Sequence, residues 1–192
     1  MKNTLFPIII TSLVAVLTVG GCGFQPEENV EPPDYPTVTI DHTKYYDVTL
    51  EEAGWIVDVT IPTPSYLPRH YELQKVYVRV KTSRSSYQSV WLCYCDRGFE
   101  LKEGWPDCQI LFEMSWSPEG HFPGFKAPGE RVTVEGSIQG FGVLNDTEED
   151  YNHLVWQWRP DPDKDGEFQI TLYTAKHISI EDRVAVAESL MQ

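Results

Sequence analysis

Short segments in which apolar and polar residues alternate fill most of the chain beyond residue 37. Alternation with a period of two is typical of strands that are buried on one face. Seven segments have apolar residues at these positions: Trp55, Val57, Val59 and Ile61; Val76, Val78 and Val80; Val90, Leu92 and Tyr94; Ile110, Phe112, Met114 and Trp116; Val132, Val134 and Ile138; Leu154, Trp156 and Trp158; Phe168, Ile170 and Leu172. No helical crossover separates them, so the pattern predicts antiparallel pairing of consecutive strands.

Two segments carry helix signals. Thr49 and Glu52 have the spacing of a capping box, which predicts a short helix that Gly54 ends. Near the carboxyl terminus, Ser179 is a predicted N-cap with Asp182 three residues later. One predicted face of this second helix consists of Ile180, Val184, Ala187 and Met191. The sequence therefore predicts an α+β fold, a mostly antiparallel sheet with a short N-terminal helix and a C-terminal helix packed on it.

The first 22 residues have the organisation of a secretory signal. Lys2 gives a positive start, 5–19 is an almost unbroken apolar run, and small residues precede Cys22. This ending resembles a bacterial lipobox, which implies removal of residues 1–21 and acylation of Cys22 with chains such as palmitate. The alternative is an ordinary signal peptide with an incidental cysteine. We expect a protein anchored by lipid on the extracytoplasmic side of the cell membrane.

Residues 22–36 predict a tether, and residues 37–192 predict a single folded domain. Four prolines and four acidic residues between positions 23 and 36 favour an extended, self-repelling spacer. The whole chain has a formal net charge of −14. Such a balance argues against nucleic acid as a partner, because affinity for phosphates depends on Lys and Arg.

The chain contains four cysteines, of which Cys22 is assigned to the lipobox. Cys93 and Cys95 lie two residues apart on a predicted strand, where the geometry for bonding each other is poor. Cys108 can pair with either of them, and the remaining thiol would be buried. A three-cysteine metal site is the alternative, although the sequence shows no obvious fourth ligand.

Several segments together resemble a bacterial family, the domain of unknown function number 4367. The resemblance rests on 50–53, on the Tyr-Leu-Pro segment within 61–68, on 71–78, and on the Ala-Glu-Ser-Leu ending within 180–190. It implies an extracytoplasmic module of the kind found on lipoproteins and anti-sigma factors, and it brings no activity or ligand. His70 stands where the family usually has glycine, which implies either a turn of different shape or a local specialisation at His70.

Two groups of aromatic residues are candidate binding elements. Trp156 and Trp158 share one strand face, where they either stack on a ligand such as a glycan or face the core. His121, Phe122 and Phe125 lie in a Pro- and Gly-rich stretch between Ser117 and Glu130. This stretch predicts either a recognition loop or a loop folded over the sheet.

Asp161, Asp163 and Asp165, followed by Gly166, begin like a calcium-binding loop. An EF-hand would need a bidentate Glu at its twelfth position, which is Leu172 here. A polar hairpin turn between two strands is the simpler interpretation.

The sequence contains no motif of a nucleophile elbow, a zinc protease, a phosphate-binding loop or a dinucleotide-binding fold. It therefore predicts no enzyme and no cofactor. The functional hypothesis is a binding or sensing module at the cell envelope, with an envelope protein as its partner. The alternative is a lipoprotein that binds a glycan or a metal ion.

Overall fold

The computed structural model describes residues 34–40, 42–79, 88–97, 108–119, 122, 129–146, 151–163 and 166–192. Within them lie nine strands and two helices. In chain order these are β1 (Thr37–Ile40), β2 (Thr43–Val48), α1 (Leu50–Val57), β3 (Tyr71–Arg79), β4 (Gln88–Asp96), β5 (Ile110–Ser117), β6 (Glu130–Thr133), β7 (Phe141–Asp146), β8 (Tyr151–Trp158), β9 (Glu167–Ala175) and α2 (Ile180–Ser189).

All nine strands belong to one antiparallel sheet, which two meanders build. Strands β1 to β5 pair consecutively, and β9, β8, β7 and β6 continue the sheet in reverse chain order beyond β5. Neighbouring strands of the described residues pair antiparallel, for example with Phe112 of β5 opposite Leu172 of β9. The described domain is therefore α+β and dominated by its sheet, as the alternating segments predict.

Both helices pack on the same face of this sheet. Leu92, Phe112 and Leu172 project from neighbouring strands into the main core, where each is fully buried. Ala53 of α1 and Val186 of α2 belong to the same cluster. The C-terminal helix is thus packed on the sheet, and most of the apolar burial that stabilises the domain lies on this side.

The opposite face carries a smaller buried cluster near β1. Tyr77, Trp91, Cys93 and Leu111 project from β3, β4 and β5, and Ile40 of β1 packs with them. No helix of the described residues contributes to this cluster. Apolar and aromatic side chains of the outer strand β1 and its neighbour β2 cover this part of the sheet instead.

The strand predicted over Trp55, Val57, Val59 and Ile61 is wrong. α1 starts after Thr49 as predicted, but it passes through Gly54 and ends at Val57, with Asp58 as its left-handed C-cap. The apolar residues of this segment belong instead to a helix. Ala53 and Val57 are four residues apart, so they lie on one helical face, and both are buried. The sequence predicts a helix at the N-terminal end of the domain. In the structure, strands β1 and β2 precede α1.

Two further boundaries differ from the prediction. β6 ends at Thr133, so Ile138 lies in a turn rather than in the predicted fifth strand, and β7 was not predicted. Helix α2 begins after Ser179 as predicted, but Ile180 is 40% exposed. The other three residues of the predicted face do contact the core: Ala187 is buried there together with Val186 and Leu190, and Val184 and Met191 pack against it partly buried.

The predicted signal segment and most of the predicted tether, residues 1–33, lie outside the described residues. Among the residues that are described, no helix is long and apolar enough to cross a membrane.

Candidate functional site: the outer surface of α1

The amino end of α1 is fixed by a complete capping box. The Thr49 hydroxyl accepts a hydrogen bond of 3.2 Å from the Glu52 backbone N–H. In return, Glu52 Oε2 accepts from the Thr49 backbone N–H at 2.7 Å and from the Thr49 hydroxyl at 2.8 Å. These bonds, the backbone one foremost, hold the pKa of Glu52 below its usual value.

The carboxyl end of α1 is closed by a left-handed residue. Asp58 has φ of 55°, a conformation that Asp and Asn tolerate better than most side chains. Its backbone N–H donates to the Gly54 carbonyl, and the Val59 N–H donates to the same oxygen at 3.2 Å. The chain therefore turns sharply away from the helix axis at Asp58.

This geometry turns Trp55 outward. Ala53 and Val57 hold the inner side of the helix, and Trp55, two residues from each, lies on the outer side. Its side chain is 68% exposed, the largest value among the big hydrophobic residues that the structure describes as exposed. The Trp55 ring therefore presents a large apolar area to the solvent, together with an indole N–H that can donate a hydrogen bond.

A cleft of about 640 Å³ lies beside this outer surface. Leu50, Val59 and Ile61 contribute apolar atoms to it, and Trp55 is part of its wall. The charged residues that line it are Glu51 and Asp58, both exposed and both acidic. Among the described residues the charged lining of the cleft is acidic, so an apolar group that ends in a cation fits this lining.

A second cleft, of about 570 Å³, lies on the other side of the Thr49 cap. Lys75 and Asp47 line it and form an ion pair at 2.6 Å. The hydrogen bond that Lys75 donates to Asp47 raises the pKa of Lys75. The two charges satisfy each other, and Tyr35 and Pro36 show that the cleft lies where the predicted tether reaches the domain.

The helix-free face of the sheet carries a polar and aromatic cluster of its own. The Tyr173 hydroxyl donates to Glu113 Oε2 at 2.9 Å, and the His153 ring lies 4.6 Å from the Tyr173 ring. Burial, followed by the nearby Glu113 charge, raises the pKa of Tyr173. Tyr45 and Trp91 pack together beside it with ring centroids 4.7 Å apart. This cluster is largely satisfied internally, which favours a structural role.

The three cysteines of the domain lie together on this same face. Cys93 and Cys108 form a disulfide, and Cys95 is buried beside it. The predicted pairing of Cys108 with one of the two strand cysteines is confirmed, as is the burial of the third. The Sγ atoms of all three lie within 4.8 Å of one another. With two sulfurs bonded to each other, only one thiol is left, so this form lacks the donor set for a metal.

The structure places Trp156 in the core. It is fully buried, so the hypothesis that it stacks on a ligand is wrong and the core alternative holds. Trp158 is half-buried and stacks on Phe168 at 5.9 Å, and Trp116 packs on the same ring at 4.7 Å. The glycan hypothesis therefore loses the pair of exposed rings that it requires.

The remaining predicted site residues are only partly described. Asp161 accepts a hydrogen bond from the Asp163 N–H at 3.1 Å, in the loop that joins the paired strands β8 and β9. This local bond supports the hairpin-turn interpretation, while Asp165 lies outside the described residues. Phe122 is half-buried. Cys22, His121 and Phe125 lie outside the described residues.

Sequence reasoning missed the outer surface of α1, because the alternating pattern assigned Trp55 to the buried face of a strand. The four-residue spacing of Ala53 and Val57 after the Thr49 cap indicates a helix instead. A helix extended by one turn would have placed Trp55 outside.

Comparisons with known proteins give no relatives: no family model, no curated protein and no solved structure matches this chain.

Proposed function

We propose that this protein is a lipid-anchored, extracytoplasmic binding module that recognises a protein partner at the cell envelope through the outer surface of α1. The observation that carries the proposal is Trp55, 68% exposed beside a cleft whose charged lining, among the described residues, consists of the acidic Glu51 and Asp58. The signal-like segment, Cys22 and the resemblance to the domain of unknown function number 4367 support the location at the envelope.

Trp55 has the properties of an interface anchor. Tryptophan is enriched among the few interface residues that carry most of the binding energy, because it buries a large area with little loss of side-chain freedom. In this protein the anchor stands on a helix that is capped at both ends and packed on the sheet through Ala53 and Val57. The partner therefore meets a surface that is already ordered, which lowers the entropic cost of binding.

Glu51 and Asp58 form an acidic rim around the cleft, and this rim defines the chemistry of the partner. Glu51 and Asp58 flank Trp55, so a Lys or Arg side chain of the partner can approach both the ring face and a carboxylate. The formal net charge of −14 also draws basic surfaces toward the domain at low ionic strength. We infer that the recognised segment combines an apolar residue with at least one basic residue.

Crosslinking of the lipidated protein in its native membrane tests this function. We expect Trp55→Ala to weaken capture of the partner by about 30-fold, which corresponds to a hot spot of about 2 kcal/mol. The matched control is Ile138→Ala, which removes another exposed apolar side chain in the turn between β6 and β7. Equal capture by the wild type and by Trp55→Ala would rule out this surface.

A further inference from the structure

Strand β4 carries two cysteines on one face. Cys93 and Cys95 are two residues apart, so the pleat of the strand turns both side chains to the same side. Cys108, two residues before the first residue of β5, reaches this side as well. All three are buried, with exposures of 0%, 0% and 1%.

Only one disulfide can form among the three sulfurs, and Cys108 is the shared partner. The Cα atoms of Cys93 and Cys108 are 5.4 Å apart, a normal spacing for a disulfide. Cys95 Sγ lies within 4.8 Å of both bonded sulfurs. Neighbouring same-face positions of one strand are unfavourable for a bond between Cys93 and Cys95 themselves.

We propose that Cys93, Cys95 and Cys108 form an intramolecular thiol–disulfide exchange centre, in which Cys93 and Cys95 alternate as the partner of Cys108. This inference depends on neither the lipid anchor nor the recognition surface of α1.

The exchange is balanced without any external oxidant or reductant. The Cys95 thiol loses its proton, and the thiolate attacks Cys108 Sγ. The bond from Cys95 to Cys108 forms as the bond from Cys93 to Cys108 breaks, and Cys93 leaves as a thiolate that takes up a proton. Each form contains one disulfide and one thiol, so the redox state of the domain is unchanged.

Burial makes this exchange responsive to the opening of the sheet. A thiolate is disfavoured among the apolar side chains of the small cluster, which slows the attack in the closed domain. The released thiol also changes its neighbour, because Cys93 pairs with Lys75 on β3 and Cys95 pairs with Glu72. A partner or condition that loosens this end of β3 and β4 would therefore speed the exchange between the two forms.

Differential alkylation of the full-length wild-type chain tests the exchange. The protein is equilibrated near the usual thiol pKa of about 8.5, quenched with acid, denatured and alkylated with a first label. It is then reduced, given a second label and fragmented between Cys93 and Cys95 in the mass spectrometer. We expect the first label on both residues, with the minor site at about 0.1–10%. First label confined to Cys95, with Cys93 below about 0.1%, would overturn the proposal.

Two variants make the result specific. In Cys95→Ser the attacking thiol is missing, so the first label on Cys93 is expected to fall to background. In Cys93→Ser a disulfide between Cys95 and Cys108 is expected to form. A folded Cys93→Ser protein that keeps both residues as thiols would contradict the proposal. If that variant does not fold, the labelling of the wild type and of Cys95→Ser decides.

Discussion

The helices α1 and α2 begin with similar chemistry and end in different environments. Thr49 and Ser179 are hydroxyl N-caps, each followed by an acidic residue at the third helical position. Glu52 is long enough to reach the backbone N–H of its own cap residue, whereas the shorter Asp182 accepts from the Ser179 hydroxyl at 3.1 Å. Similar local signals therefore start both helices.

Helix α2 is held by the protein from two sides. Leu190, at its carboxyl end, is buried in the main core. The chain that follows α1 is also bonded to it, because the Ser65 N–H donates to the Ser189 carbonyl at 3.3 Å. The Tyr66 hydroxyl donates to Asp182 at 3.0 Å. Helix α1, by contrast, buries only Ala53 and Val57 completely and leaves Trp55 outside. The comparison shows that α2 closes the core, while α1 offers a surface.

The largest expected effect is a difference in the free energy of unfolding between a substitution at the end of α2 and one on α1. Leu190→Ala removes a side chain that is 3% exposed, so we expect the free energy of unfolding to fall by about 2–5 kcal/mol. Trp55→Ala removes a larger but mostly exposed side chain and should change that free energy by about 0.5 kcal/mol or less. Urea denaturation followed by circular dichroism measures both. A loss of similar size in the two variants would contradict the comparison.

Removing the α1 cap should have an intermediate effect. Thr49→Ala deletes the hydroxyl that accepts from the Glu52 N–H, so we expect a loss of about 1 kcal/mol in the free energy of unfolding. Ser179→Ala removes the corresponding acceptor from the Asp182 N–H, at 3.0 Å, and serves as the matched variant. Thermal or urea melts compare them. Unchanged stability in Thr49→Ala would show that the capping box does not hold α1.

Removing the acidic rim should weaken binding more modestly than removing Trp55. Glu51→Gln with Asp58→Asn neutralises the cleft, and Asn keeps the left-handed conformation at position 58 accessible. We expect capture to fall about twofold to fivefold and to lose much of its dependence on salt. Glu181→Gln, an exposed acid in the first turn of α2, is the control. An equal decrease in the control would assign the effect to net charge alone.

The smallest effect is a pH dependence that comes from Glu52. Its pKa in the folded protein is lowered from 4.5, so the charged form stabilises the fold above that value. The contribution is lost as the pH falls through the lowered pKa. The stability difference between the wild type and Glu52→Gln should therefore shrink below about pH 4.5. A difference that stays constant from pH 7 to about pH 3 would contradict the role of this carboxylate.

The sequence predicts the strands correctly where the alternating apolar residues are fully buried in the structure. Leu92, Phe112 and Leu172 lie on strands that their period of two assigns. The hydroxyl caps predict where both helices begin. These features depend on residues close together in the chain, which is why they are readable from sequence.

The features that were missed depend on contacts between distant segments. Gly54 was expected to end α1, but Ala53 and Val57 pack on the sheet and carry the helix past it. At the turn near His70, the positive φ is found on the preceding residue, Arg69, at 63°, a detail that the family resemblance does not specify. The pairing of β5 with β9 joins strands separated by three others along the chain, and no local pattern encodes it.

The most direct test of the α1 surface is site-specific photocrosslinking in intact cell envelopes. A photoreactive phenylalanine derivative, which keeps an aromatic ring at the anchor position, replaces Trp55 in one protein and Ile138 in the other, both of which are exposed positions. The account predicts one discrete crosslinked protein from position 55, with a basic residue in the captured segment, and none from position 138. Crosslinking that is absent from position 55, or equal at the two positions, would contradict it.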